Sequence, residues 1–178
     1  QKVRGDGRAG AQAVSVVLPG GAPVDGEKWA LVKESVLGEL QTEILLRPSL
    51  GPRDSAAAAS GWDGDTYRVY RLRTDPAVTF FLWASAWDSQ DDAAEFEKAV
   101  RKLLDGRKPL ERRKGGVESF AVSTGGSTVT VVAGSIDPAA SRVLIEWAAG
   151  LKLEAKEIRV GVFPSEVRFA DDGLEEDF

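Results

Sequence analysis

The chain has 178 residues, 43% hydrophobic and 29% charged, with a net charge of −5 and a pI near 4.9, enough for one well-filled core but without a field that draws it to nucleic acid or anionic lipid. It contains no His and no Cys, which excludes a Ser-His-Asp triad, a Cys-His dyad, a disulfide and a His- or thiolate-ligated zinc site, and leaves only carboxylate, Lys, Ser/Thr or Tyr chemistry. No apolar run approaches the roughly 18 residues that span a bilayer, and with no Met in the chain Gln1 is expected to follow processing or to lie within a longer protein.

Residues 1–60 read as an N-terminal arm with helices that pack on the core. Gln1 to Gln12 is rich in Gly, Arg and Ala and has no pattern of its own. Ala13 to Leu18 is a short strand candidate stopped by Pro19-Gly20-Gly21, and Asp25 can cap the next helix. From Glu27 to Arg47 the apolar residues Trp29, Val32, Val36, Leu37, Leu40 and Ile44 recur at spacings of three and four. That period predicts an amphipathic helix, with Pro48 as its end. Asp54 to Ser60, with four consecutive alanines, predicts a short helix closed by Gly61.

Residues 61–163 read as a ββαββα domain. Tyr67 to Arg73 and Val78 to Trp87 are strand candidates about the turn Thr74-Asp75-Pro76-Ala77. The second is apolar on both faces, with Phe80 and Leu82 on one and Phe81, Trp83 and Trp87 on the other, so it needs cover on each side. Ser89 and Asp92 have the form of a capping box, and the helix they open carries Ala93, Phe96, Val100, Leu103 and Leu104 inward and stops at Gly106. A basic connection, Arg107 to Gly116, leads to strands Glu118 to Ser123 and Thr128 to Ala133, joined through Gly125-Gly126. Asp137-Pro138 reads as N-cap and first helical residue of a helix with Val143, Leu144, Trp147, Ala148 and Leu151 on one stripe. Ile158 to Phe163 is a last strand candidate, and residues 164–178 form an acidic tail. The expected fold class is α+β: a four-stranded antiparallel sheet with helices on one face, plus an N-terminal helical arm.

Gly61-Trp62-Asp63-Gly64-Asp65-x-Tyr67, followed by Trp83-x-x-x-Trp87-Asp88 and Asp92-Ala93-x-x-Phe96, resembles the C-terminal region of a family of bacterial and archaeal secreted or lipid-anchored zinc-metallopeptidase-like proteins. Gln1-Lys2 with Arg4-Gly5-Asp6, the Val14 to Pro19 strand and Leu37-Gly38-Glu39 extend the resemblance over roughly Gln1 to Leu104. In that family the zinc-binding His-Glu-x-x-His helix lies upstream. This chain lacks it, so no catalytic residue carries over. The resemblance implies a non-catalytic part of an exported, extracytoplasmic protein.

Asp63 and Asp65, with Asp88, Asp91, Asp92 and Glu95, could offer oxygen ligands to Ca²⁺. They could equally make turn hydrogen bonds and favour a helix N-terminus. Trp62, Trp83 and Trp87 could form an aromatic platform for a glycan or peptide, or fill the core. Arg107-Lys108 with Arg112-Arg113-Lys114 reads as a solvated loop or as a contact for an acidic partner. The candidate binding residues are Trp62, Asp63, Asp65, Trp83, Trp87 and Asp88, with no catalytic residue, metal or cofactor assigned. The expected function is that of a non-catalytic accessory or interaction domain. Its partner is expected to be a protein and not nucleic acid. A binding module that uses exposed aromatics of the Val78 to Trp87 strand or the Glu27 to Arg47 helix to hold a partner chain is the alternative. A hydrolase using two carboxylates is a third reading, but no pair can be placed across a cleft from sequence.

Overall fold

The computed structural model describes residues 13–106 and 118–156. In chain order the elements are β1 (Val14–Val17), β2 (Trp29–Ser35), α1 (Glu39–Leu50), α2 (Pro52–Ala59), β3 (Trp62–Leu72), β4 (Thr79–Trp87), α3 (Gln90–Asp105), β5 (Glu118–Gly125), β6 (Thr128–Ser135), α4 (Pro138–Ala148) and β7 (Lys152–Ala155). The class is α+β, but the main sheet has five antiparallel strands in the order β2-β3-β4-β6-β5, not four, and β1 pairs with β7 in a separate two-stranded ribbon. The strand and tail expected beyond Lys156, the basic connection and the first twelve residues lie outside the described residues.

The fifth strand comes from the segment expected to be helical. Trp29–Ser35 is β2, paired along β3 from Trp29↔Leu72 to Ser35↔Tyr67. The apolar spacing that imitates one long helix is cut by Gly38, whose φ of +82° is open to Gly and strained for other residues. Asp25 therefore caps a turn, its carboxylate accepting from Glu27 N–H at 2.9 Å. Helix α1 begins only after Gly38, passes through Pro48 and ends at Gly51, where φ is again positive at +79°.

The helices also sit on both faces of the sheet, which corrects the one-face expectation. Because side chains alternate along a strand, β4 feeds two cores. Phe80, Leu82, Ala84 and Ala86 join Val16, Leu18, Val132, Leu144 and Ala148, so α4 and β1 cover that side. Trp83 and Trp87 join Leu46, Ala58, Phe96, Val100, Val129 and Val131, so α1, α2 and α3 cover the other. Trp29 packs edge-on to Phe80 at 4.8 Å, and Tyr70 stacks on the same ring at 4.7 Å. Phe96 lies between Trp83 at 5.1 Å and Trp87 at 4.5 Å. Truncating such a buried aromatic to Ala costs about 3–5 kcal/mol.

Local chemistry fixes the remaining boundaries. The Ser89 hydroxyl accepts from Asp92 N–H at 3.1 Å and lies 2.6 Å from Asp92 Oδ2, so the expected cap opens α3. Asp137 accepts from the N–H groups of Ala139 and Ala140, with Pro138 first in α4. The β5–β6 hairpin turns at Gly126-Ser127, where Gly126 has φ +62°. Among the described residues no helix is long and apolar enough to cross a membrane.

Candidate functional site

The stretch Gly61 to Asp65 opens β3 as a strand, not as the turn its Asp and Gly content suggests. Gly61 takes φ +87°, and a Cβ placed on it would come within 2.7 Å of the Asp92 carboxyl carbon. Its carbonyl accepts from Asp88 N–H at 2.7 Å. The chain therefore passes tightly beneath the first turn of α3, and only Gly fits there. Trp62 pairs with Trp87 and Gly64 with Ala86, so Asp63 is the extra residue of a β-bulge. On the opposite face from Asp65, β1 crosses Gly64 so closely that a Cβ there would overlap the Val14 carbonyl.

Asp65 is 3% exposed. Its Oδ2 accepts from Trp83 Nε1 at 2.9 Å and from Leu37 N–H at 2.9 Å. Its Oδ1 accepts from Gly38 N–H at 3.0 Å. One buried carboxylate thus joins the central strand to the junction between β2 and α1, and its charge is matched by three N–H donors.

The other candidates divide between core and surface. Trp83 and Trp87 are 1% and 2% exposed, which corrects the aromatic-platform reading for both: they fill the core beside Phe96. Trp87 Nε1 donates to Ser85 Oγ at 3.0 Å. Trp62 is half-buried, and its Nε1 is buried with no hydrogen-bond partner among the described residues. Asp63 is half-buried and Asp88 exposed. Asp91 and Asp92 lie in the first turn of α3, where negative charge is favourable. Among the described residues no three carboxylates converge. The cleft beside Trp62, lined by Val14, Ser15, Val36, Asp65 and Lys156, encloses about 110 Å³, well below the roughly 300–1,000 Å³ of small-molecule sites.

On α3, Thr124 Oγ1 donates to Glu97 Oε2 at 2.7 Å and Arg101 Nε donates to Oε1 at 2.9 Å. The Thr124 hydrogen bond, helped by Arg101 and opposed by burial, holds the Glu97 carboxyl below its ordinary range. Arg101 also donates to the Val122 carbonyl at 2.8 Å. On the other face Arg68 pairs with Glu34 at 3.1 Å and lies 5.8 Å above the Trp147 ring. These groups are engaged in joining elements, α3 to β5 and β2 to β3 and α4.

The most distinctive surface lies where the spacing predicts helical packing. Val36 is 53%, Leu40 58% and Ile44 51% exposed, although their period predicts one stripe facing inward. Leu31 and Val32 of the edge strand β2 are also exposed. Only Trp29 and Leu37 of that stripe pack on the cores. The sequence signal is Gly38 in the middle of the stripe, which separates a strand from a short helix and releases the apolar positions from one common face.

No curated protein and no solved structure matches the chain. The sequence profile described as a domain of unknown function (DUF8575) matches residues 28–144, a span that opens just ahead of β2 and closes within α4. With more than half of its length matched, the chain belongs to the DUF8575 family.

Proposed function

We propose that this domain is a non-catalytic interaction module that holds a protein partner on the apolar surface of α1 and the neighbouring β2. The observation that carries the reading is the exposure of Leu40 and Ile44, one turn apart on α1, and of Val36 just before it, each by half or more, since large apolar side chains held out in solvent are candidates for contact. Direct strand addition to β2 is disfavoured, because the edge carries a register shift between Leu31 and Lys33 and an exposed Lys33, two devices that block edge pairing. Side-chain contact through α1 is therefore the favoured mode. The resemblance of the Gly61 to Phe96 pattern supports placing the module in an exported, metallopeptidase-like protein as an accessory part.

The test is site-specific photo-crosslinking in cells that produce the protein. A photoreactive residue at position 40 is expected to give discrete adducts that one at the exposed α3 position 102 does not, and Ile44→Glu is expected to remove them. Equal labelling at both positions, or adducts at 40 that survive Ile44→Glu, would overturn the proposal.

A further inference from the structure

The main sheet ends in β2 on one side and β5 on the other, and the two edges are built differently. Strand β2 breaks register between Leu31 and Lys33, which spoils it as a template for a further strand. Strand β5 keeps an unbroken antiparallel register with β6 over its eight residues, from Glu118↔Ser135 to Gly125↔Thr128. It contains neither Pro nor Lys, so the usual devices that blunt an edge are missing from it.

The hydrogen-bond phase of β5 follows from its neighbours. Trp87 N–H donates to the Ser127 carbonyl, so along the β4–β6 register Val129, Val131 and Ala133 turn their backbone groups toward β4. Thr128, Thr130, Val132 and Gly134 turn theirs toward β5, where they meet Gly125, Ser123, Ala121 and Ser119. The N–H and C=O groups of Phe120, Val122 and Thr124 therefore point out of the sheet. The Val122 carbonyl agrees with that phase, because it accepts from Arg101 Nη2 at 2.8 Å. Arg101 reaches it from α3 and stands where the N–H of a neighbouring strand would stand. Among the described residues no strand lies beyond β5, and Phe120 is 38% exposed there.

Both faces of β5 are already in use. Val122 joins the core with Val100 and Val131 on the α3 side, and on the α4 side the Ser119 and Ser141 hydroxyls lie 3.4 Å apart. What β5 offers is its edge, a row of donors and acceptors that alternate over about 14 Å. An extended backbone matches such a row, whereas a helix has spent its own groups internally.

We infer that the free edge of β5 is an acceptor site for an extended peptide segment, which pairs with the outward groups of Phe120, Val122 and Thr124 and lays an apolar side chain against Phe120. The added strand runs antiparallel, as every pair in this sheet does. This site lies at the far edge of the sheet from β2 and does not depend on the reading of α1.

The test is amide hydrogen exchange of the full chain, read residue by residue by nuclear magnetic resonance. The probe is a synthetic peptide with the sequence of Thr128–Ser135, a strand whose side chains already match those of β5. Without peptide, the amides of Phe120, Val122 and Thr124 are expected to exchange fast and those of Ala121 and Ser123 slowly. At saturating peptide the first three are expected to slow at least about tenfold, while Ala121 and Ser123, already bonded to β6, change less than about twofold. Phe120→Pro removes an outward N–H that β6 does not use, so circular dichroism should show an intact fold while peptide affinity falls about tenfold. No slowing at the three outward amides overturns the inference, and so does slowing that reaches Ala121 and Ser123 equally. A folded Phe120→Pro that binds the peptide as the wild type does also overturns it. If Phe120→Pro does not fold, the alternation of protection in the wild type decides alone.

Discussion

Removing the Asp65 carboxylate tests whether the fold is organised around it. Asp65→Ala leaves Trp83 Nε1, Leu37 N–H and Gly38 N–H without their acceptor. A buried donor left unpaired costs about 1–3 kcal/mol, and the two backbone donors are only part-buried, so water recovers some of the loss. The sum is about 4 kcal/mol, a large share of the roughly 5–15 kcal/mol that keeps a domain folded. At about 2–4 °C per kcal/mol for a chain of this size, the midpoint should fall by about 8–16 °C. Asp65→Asn keeps one acceptor but turns an amide N–H₂ toward a donor, so it should cost about half as much. Urea unfolding followed by circular dichroism gives the magnitudes. Amide exchange gives the location: Leu37 and Gly38 should lose protection in both variants before the β4–β6 ladder does. A loss below about 1 kcal/mol in Asp65→Ala, or exchange that rises evenly over the sheet, would refute the reasoning.

Gly64→Ala drives a Cβ into the Val14 carbonyl, a backbone group that cannot rotate away. It should cost about 1–3 kcal/mol and speed amide exchange in Val14–Val17 more than in β4, and unchanged exchange in β1 would count against the close crossing. Glu97 titrates below its unfolded value near 4.5, so its contribution is present above that pH and lost as the pH falls through the lower folded value. Thr124→Val removes the largest cause, so its destabilisation should be visible at about pH 6 and shrink toward pH 3; a penalty independent of pH in urea titrations would contradict the assignment.

The elements legible in the sequence were those whose signals are local. Ser89 with Asp92 and Asp137-Pro138 specify their ends within four residues, and each appears where its chemistry puts it; the Gly-Gly pair signalled the hairpin, but the turn falls one residue later, at Gly126-Ser127. The two-sided apolarity of Val78 to Trp87 also signalled cover on both faces of β4, and that implication is stronger than the simple pairing of two ββα units on one side. What failed was a period. Trp29, Val32, Val36, Leu37, Leu40 and Ile44 satisfy helical spacing by coincidence across a strand, a positive-φ glycine and a helix. Asp65 could not be read because its donors come from residues 18 to 28 positions away, a distance over which sequence carries no pairing signal.

The bulge gives the Gly61 to Asp65 motif its physical logic. In a regular strand, residues three apart point to opposite faces. Asp63 is the extra residue, so Trp62, opposite Trp87, and Asp65, opposite Ser85, both face the α1, α2 and α3 side. Gly64 is left on the other side, where β1 needs room. Gly61 admits the first turn of α3, and Asp65 receives the start of α1. Four of the five residues thus have a structural use that requires no ligand, which accounts for the Trp and Asp content of the motif. The same accounting leaves α1 distinct: its inner face is fixed by Leu46 in the core and by Gly38 on Asp65, while Leu40 and Ile44 stay exposed among the described residues.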